Sequence, residues 1–246
     1  MLLLKMFTRK WILATLFVLA GTALCVRLGI WQLDRLEQRR AFNAQYESSR
    51  AMPLLNLNSD NIDSIAQMEW RSVQVTGEYD FENQVALRNQ YLGDQYGYHV
   101  ITPLLFQGKA VLVDRGFIPA DGNSTPADWR KYDEPGTVTI KGQIRLGQTK
   151  PALGGVADAL PANGVKLEIW NNLDLPHIAA QSPYPLLPVF IQPDENANDT
   201  EPPIPYQPVV EITEGPHFGY ALQWFTFATI LFVGYPFFLR KQESSS

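Results

Sequence analysis

The sequence is poor in the residues and motifs that mark disulfide-bonded proteins, metal sites and catalytic centres. Its one cysteine, Cys25, lies in an N-terminal apolar run, so no intrachain disulfide can form. Its three histidines, His99, His177 and His217, are scattered, which makes a Cys/His metal site a poor prediction. There is no Gly-x-Ser-x-Gly, no phosphate-binding Gly-x-x-x-x-Gly-Lys and no His-x-x-x-His pair. These absences argue against an enzyme.

Basic residues are scarce in the long middle of the chain. Residues 32–216 carry 14 Lys and Arg against 24 Asp and Glu. Nucleic-acid binding requires clustered Lys and Arg to neutralise phosphates, so this composition argues against it. Most of the remaining basic residues flank two apolar runs: Lys5, Arg9 and Lys10 precede the first, and Arg240 and Lys241 follow the second.

The two apolar runs predict two transmembrane helices, 11–31 and 217–239. Residues 218–239 are 22 uncharged residues, enough at about 1.5 Å per residue to cross a hydrocarbon core of about 30 Å. The first run is interrupted by Arg27, which can snorkel toward lipid headgroups and extend the usable helix. Gly21, Cys25 and Gly29 recur every four residues, a spacing that allows close helix packing. Gly215 and Pro216 suit the start of the second helix.

A competing interpretation of the first run is a cleaved signal peptide. It has a basic beginning, an apolar centre and Gly21-Thr-Ala23 as a small-residue cleavage site. With either interpretation, the middle of the chain lies outside the cytoplasm.

The basic flanks predict the topology, because short segments rich in Lys and Arg remain in the cytoplasm. We expect a multi-pass protein of the bacterial inner (plasma) membrane, with residues 1–10 and 240–246 cytoplasmic. Residues 32–216 then form one periplasmic domain between the two helices.

The middle segment begins as a polar helix, 32–50, and then becomes a series of short β-strands. Apolar and polar residues alternate over 72–79, and similar runs separated by Gly and Pro follow at 85–90, 98–106, 110–118, 137–146, 165–171, 187–192 and 209–213. Residues 173–181 predict a short helix, and the proline-rich stretch 193–208 predicts an irregular loop. The predicted fold is α+β: a predominantly antiparallel sheet or small barrel flanked by two transmembrane helices.

His217 is the strongest candidate for a functional residue. A histidine at the mouth of a transmembrane helix needs a partner, a metal or a lipid headgroup. Tyr220, Trp224 and Phe227 follow at steps of three and four and share its helix face, which resembles a haem-ligand environment. An interfacial histidine within a belt of aromatic residues explains the pattern equally well.

Four motifs, in order, resemble the surfeit-locus (Surf/Shy) family. They correspond to the family's Gly-x-Trp-Gln-x-x-Arg signature, its Gly-x-x-x-x-Thr-Pro strand, its Asn-Arg-Gly-Trp-Val-Pro element and its His-x-x-Tyr-x-x-x-Trp helix. In this chain they are Gly29-Ile-Trp-Gln-Leu-Asp-Arg35, Gly97-Tyr-His-Val-Ile-Thr-Pro-Leu104, Val113-Asp-Arg-Gly-Phe-Ile-Pro119 and His217-Phe-Gly-Tyr-Ala-Leu-Gln-Trp224. Asp114 and Phe117 depart from the family's usual Asn and Trp, and Gly215-Pro216 replaces residues that are often polar.

The resemblance implies an assembly factor for haem-copper cytochrome c oxidase that binds haem a transiently. The implied partners are the catalytic subunit of the oxidase, haem a synthase and membrane lipid. His217 would contact the haem iron, and the wider haem-binding set would be Trp31, Gln32, Arg35, Tyr220 and Trp224. A second set, structural or partner-binding, would be Gly29, Thr102, Pro103, Arg115, Gly116 and Pro119.

Several alternatives remain open at the level of sequence. Arg35 suits a haem propionate and a lipid headgroup equally well. Arg115 and Gly116 suit a structural bend after an apolar strand or an interaction surface. A haem-free scaffold that holds an oxidase subunit is the alternative function, and an extracytoplasmic enzyme is the third.

Overall fold

The structure is a computed structural model that describes residues 6–151, 154–159, 165–195, 200–206 and 210–244. The chain divides into two compact units: Met1–Gln45 with Val210–Ser246, called here the helix unit, and Tyr46–Val209, called the β domain. Residues 32–45 and 210–216, which fall within the predicted periplasmic segment, belong by their contacts to the helix unit.

Two long helices build the helix unit. Helix α1 spans Ile12–Ala51, so the predicted apolar span and the polar helix after it form one continuous helix. The last helix, α4, spans His217–Ser244 and begins directly after Gly215 and Pro216, as predicted. Both helices are long and apolar enough to cross a membrane. Many of their large apolar side chains are exposed, which suits immersion in lipid.

The contacts between α1 and α4 show that the two helices run antiparallel. The Thr15 hydroxyl lies 2.8 Å from that of Tyr235. Farther along α1, a Cβ atom built on Gly29 would lie 2.8 Å from ring atoms of Phe225. A glycine at position 29 therefore allows close helix approach, as the small-residue spacing indicated.

The described residues of the β domain form eight strands and two short α-helices. The strands are β1 Leu55–Asn56, β2 Ser72–Tyr79, β3 Val85–Leu92, β4 Gln95–Phe106, β5 Lys109–Pro119, β6 Thr137–Arg145, β7 Ile169–Trp170 and β8 Leu186–Pro193. The helices are α2 Pro126–Trp129 and α3 Leu175–Gln181. The predicted strands at 72–79, 85–90, 98–106, 110–118, 137–146 and 187–192 and the predicted helix at 173–181 are confirmed, with small shifts at their ends.

Five of the strands close a small barrel. They are bonded in the order β2-β6-β8-β5-β4, and β4 returns to β2 through the pairs Glu78↔Leu105 and Tyr79↔Leu104. Strand β1 lies beside β2, whereas β3 and then β7 extend the sheet from β4. The longest pairings are antiparallel, and β5–β8, β1–β2 and β3–β7 are parallel. The prediction of an α+β protein with a predominantly antiparallel β domain is confirmed.

Strand β5 shows how both faces of the sheet are buried. Val111 and Val113 pack into the main apolar core with residues of β2, β4, β6 and β8. Leu112 points to the other face of the sheet and packs with Trp170 of β7 and Ile178 of α3. Alternate residues of one strand thus enter two different cores, because successive side chains of a strand point to opposite faces.

Two predicted strands require correction. The stretch 165–171 forms a strand only at β7, because its pairing with β3 is limited to Ala86↔Ile169 and Leu87↔Trp170. The predicted strand 209–213 does not form over 210–213, where the Arg39 side chain of α1 donates to the main-chain oxygens of Glu211 and Thr213. Val209 lies outside the described residues. In the predicted loop 193–208, the described part contains a single β-bridge, Phe117↔Ile204.

Candidate functional site

The most informative contact of the helix unit joins His217 to Gln32, 185 residues apart in the sequence. Nδ1 of the half-buried imidazole lies 2.8 Å from Oε1 of Gln32. An amide oxygen can only accept a hydrogen bond, so Nδ1 carries the proton. The neutral ring then keeps its lone pair on Nε2, the nitrogen that would bind a metal.

The Nε2 edge of His217 faces Gly215. Gly215 has φ of +66°, and a Cβ atom built on it would lie 3.5 Å from Nε2 and 3.3 Å from Cδ2. Nε2 makes no hydrogen bond to any residue that the structure describes. A glycine therefore both permits the turn before α4 and leaves room beside the free nitrogen.

Aromatic side chains are exposed on both helices near this contact in the sequence. Trp31, which precedes Gln32, is 42% exposed, and the Arg35 guanidinium lies 5.6 Å from its ring centroid. Tyr220 is 47% exposed. Trp224 packs edge-on against Phe227, with ring centroids 6.0 Å apart. The helix unit thus presents large ring surfaces to its surroundings instead of burying them.

Arg35 is occupied by its own helix, since its Nη1 donates to Oε1 of Gln38 at 3.0 Å. The structure brings Gln32 to His217 and Arg35 to Trp31. Among the described contacts, none joins Trp31, Arg35 or Trp224 to the imidazole. Their role in haem binding stays a prediction.

Two arginines that the sequence did not single out fix the segment before His217. Arg39 donates to the main-chain oxygens of Glu211 and Thr213, at 2.8 and 3.2 Å. Arg40 makes a bidentate pair with the Glu214 carboxylate, at 2.7 and 3.0 Å. The hydrogen bonds from Arg40 hold the pKa of Glu214 below its usual range. This arginine clamp ties α1 to Glu211, Thr213 and Glu214, in the segment that leads into Gly215 and Pro216.

Breaking the clamp is expected to loosen the segment without unfolding the helices. Arg40→Met should raise amide hydrogen exchange across residues 210–216 by about two- to fivefold, because exposed ion pairs contribute little individually. In the wild-type protein the Arg40–Glu214 pair contributes fully at pH values above about 4.3, the pKa of a glutamate in an unfolded chain. Its contribution is lost as the pH falls through the lowered pKa of Glu214 in the folded protein. The wild-type protein should therefore approach the variant at low pH. Lys241→Met is the control, and equal exchange in Arg40→Met and wild type at neutral pH would refute the clamp.

In the β domain, Arg115 is a buried brace. Its side chain is 4% exposed, and its guanidinium lies over the rings of Tyr79 and Phe81, 5.2 and 5.3 Å from their centroids. Its Nη2 donates to the Tyr132 main-chain oxygen and, at 3.0 Å, to Glu134. Burial raises the pKa of the Tyr79 hydroxyl, although the nearby Arg115 charge lowers it. This geometry favours bracing; an interaction surface at Arg115 stays a prediction.

Gly116 lies at a bulge between β4 and β5, where Val100 pairs with Gly116 and Ile101 with Asp114. Arg115 is therefore the extra residue. Gly116 has φ of +115°, and a Cβ atom there would lie 2.1 Å from the main-chain oxygen of Ile204.

The other predicted residues of the β domain are strand positions, of which Thr102 and Pro103 are buried and Pro119 is partly exposed. Thr102 is fully buried, and its hydroxyl donates to Gln84 at 3.4 Å. Pro103 offers its carbonyl to the Asp80 N–H at 2.9 Å. Pro119 ends β5 opposite Gly97. These contacts give each of the three a structural role.

The donor set limits which metal groups the described residues could hold. Among them, no cluster of three or more His, Cys, Asp or Glu side chains could bind a metal ion. A haem requires only one or two protein ligands, because the porphyrin supplies the other four. His217, with Nδ1 fixed by Gln32 and Nε2 beside Gly215, fits a haem ligand.

A family model and several known proteins match this chain over most of its length. The model of the SURF1 family matches residues 19–229 of this chain. A SURF1-like protein of Rickettsia felis is 27% identical over 232 residues, covering 92% of this chain and 96% of its own length. An uncharacterized SURF1-like protein of Mycobacterium bovis is also 27% identical, over 93% of this chain and 83% of its own. A SURF1-like protein of Caenorhabditis briggsae is 23% identical, over 90% of this chain and 74% of its own length.

Proposed function

This chain belongs to the SURF1 family, and we propose that it is a membrane-bound assembly factor for haem-copper cytochrome c oxidase that holds haem a transiently at His217. The observation that carries the proposal is the His217–Gln32 hydrogen bond of 2.8 Å, which fixes the imidazole tautomer suited to iron. When bound, haem a supplies the iron and porphyrin that the catalytic subunit of the oxidase must receive.

The residues of the helix unit have distinct tasks in this function. Gln32 orients His217, Gly215 leaves the Nε2 edge open, and the arginine clamp holds the chain that precedes the ligand. Trp31, Tyr220 and Trp224 would offer ring surfaces to a flat apolar ligand, and Arg35 would offer a charge for a propionate. A single half-buried histidine holds less firmly than two axial ligands would, which suits a protein that must release its cargo.

The helices support a location in the membrane. Their exposed apolar surface would favour lipid over water. We propose a bacterial inner-membrane protein with cytoplasmic termini and a periplasmic β domain. The basic residues Arg9, Lys10, Arg240 and Lys241 near the two ends support this orientation.

The proposal is tested by purifying the full-length protein in detergent from cells that synthesise haem a. We expect a Soret absorption band and extractable haem a, and no such haem from cells that lack haem a synthase. A protein that purifies without haem but still retains the oxidase catalytic subunit would be the haem-free scaffold instead. A protein with neither would overturn both functions.

A further inference from the structure

The β domain contains a cleft of about 400 Å³ that the proposed function does not use. A buried pair of side chains, His99 on β4 and Asp114 on β5, contributes to its lining. The lining also includes residues after β6, residues 171–173 and Tyr206, whose ring packs edge-on against that of His99 with centroids 6.4 Å apart. The volume falls within the range of sites that bind small molecules, about 300–1,000 Å³.

Asp114 sets the hydrogen-bonding character of His99. Asp114 Oδ2 lies 2.9 Å from His99 Nδ1, and its Oδ1 accepts the Gly116 N–H at 3.1 Å. An ionised carboxylate can only accept, so the neutral imidazole carries its proton on Nδ1. Its Nε2 is then an acceptor, and it has no partner among the residues that the structure describes.

The amide side chains of the cleft also leave acceptors free. Gln90, Gln148 and Asn172 all line it, and their side-chain nitrogens donate to main-chain oxygens at 3.0, 2.7 and 3.0 Å. Within the described part of the chain, no donor reaches their side-chain oxygens. The cleft therefore offers a ligand one acceptor on the buried side chain of His99 and three amide oxygens on partly or fully exposed side chains. A ligand rich in hydrogen-bond donors fits this set.

The charge of the cleft indicates an uncharged ligand. Asp114 and Arg145 are its only charged lining residues in the described structure. Each already has a partner in the protein, because Asp114 Oδ2 lies 2.9 Å from His99 Nδ1 and Arg145 Nε lies 3.5 Å from Glu69 Oε1. The Arg145 guanidinium lies 3.8 Å from the Trp70 ring centroid and donates to Gln192 at 2.8 Å. Tyr206, 42% exposed, adds an aromatic surface at the cleft.

We propose that this cleft binds a small, uncharged polyhydroxyl compound of about the size of a monosaccharide. Hydroxyl groups can donate to His99 Nε2 and to the free amide oxygens, and they can accept from a guanidinium such as Arg145. The C–H face of such a ring packs against an aromatic side chain such as Tyr206. This site is separate from His217 and does not depend on haem binding.

The test uses full-length protein in a zwitterionic detergent without a sugar headgroup, because maltoside detergents carry the proposed chemistry. Glucose, myo-inositol and sorbitol are titrated up to about 50 mM and followed by ligand-observed NMR, a range that saturates a millimolar site. Gluconate and glucosamine serve as size-matched anionic and cationic probes. We expect at least one neutral probe to bind with a dissociation constant of about 1 mM or lower.

Asp114→Asn is the sharpest variant. Asparagine can still accept the Gly116 N–H, but its NH₂ group would donate to His99 Nδ1 and move the ring proton to Nε2. His99 Nε2 then changes from a hydrogen-bond acceptor to a donor, while the shape of the cleft stays almost the same. Binding of the neutral probe should therefore weaken at least tenfold. Leu146→Trp should also abolish binding, because Leu146 lines the cleft and is 40% exposed.

Leu54→Trp is the matched control, because Leu54 is 50% exposed and lies outside the cleft lining. It should bind the neutral probe as the wild type does. The proposal is overturned if no neutral probe binds, if gluconate or glucosamine binds more tightly than every neutral probe, or if either Asp114→Asn or Leu146→Trp binds as the wild type does.

Discussion

Replacing His217 with alanine is expected to remove the haem a absorption band from the purified protein. No other described side chain of the helix unit combines a free imidazole nitrogen with a fixed tautomer. Haem iron that loses its protein ligand would be retained only by apolar contact, and detergent competes for that contact. We expect the haem content, measured by pyridine haemochrome, to fall at least tenfold.

The best control for this variant is His177→Ala. His177 is a second histidine, half exposed in the β domain, and its Nδ1 lies 2.8 Å from Asp174 Oδ2. The same change of residue type there should leave haem content at the wild-type level. Circular dichroism should show equal helix content in both variants. A Soret band that survives in His217→Ala with wild-type intensity would refute the ligand assignment.

Gln32 makes the experiment more specific. Gln32→Leu removes the acceptor that fixes the His217 tautomer but leaves the ligand in place. Loss of such a supporting hydrogen bond typically lowers metal affinity about 10- to 100-fold. Haem content should therefore fall below the wild-type value, and titration with added haem should restore it only at higher concentration. If His217→Ala removes haem binding and Gln32→Leu leaves it unchanged, His217 is still the haem ligand. The hypothesis that Gln32 orients His217 would then be refuted.

Much of the β domain was predictable because its strands alternate between two environments. The run 110–118 reads as a buried strand, and Val111, Leu112 and Val113 do enter the cores on both faces. The sequence pattern did not determine whether the sheet closes into a barrel, since closure depends on two residue pairs between β2 and β4. The pattern of apolar residues in an open sheet would be the same. The strand predicted at 209–213 was wrong over 210–213, where the Arg39 side chain of α1 takes two of the main-chain oxygens that a strand would use.

The candidate site was predictable only where a topology brought distant residues together. The antiparallel helix hairpin placed the end of one span beside the start of the other, and Gln32 does contact His217. The pairing of Arg40 with Glu214 spans 174 residues of sequence and could not be found from charge alone, because the chain contains 20 basic and 25 acidic residues. The contact of His99 with Asp114 depends on the bulge at Arg115, which changes the strand register by one residue.

Replacing Gly116 with alanine is expected to cause a large loss of stability in the β domain, because it combines backbone strain with a main-chain clash. The φ angle of +115° is one that L-residues rarely adopt, and strain of this kind costs about 1–3 kcal/mol. The new Cβ would also lie 2.1 Å from Ile204 O and 2.5 Å from Pro205 N, which are main-chain atoms and cannot rotate away. The bridge between Phe117 and Ile204, with hydrogen bonds of 2.8 and 2.9 Å, would then break.

Gly108→Ala separates the strain from the close packing. Gly108 has φ of +75°, but nothing lies within 4 Å of a Cβ atom built there. It should therefore show backbone strain alone, about 1 kcal/mol, whereas Gly116→Ala should cost about 3 kcal/mol or more. For a domain of this size, 1 kcal/mol lowers Tm by about 2–4 °C, so the expected decreases are about 2–4 °C and at least 6–12 °C. Thermal unfolding of both variants measures the difference, and equal decreases in Tm would show that the segment around Ile204 does not hold Gly116 in place.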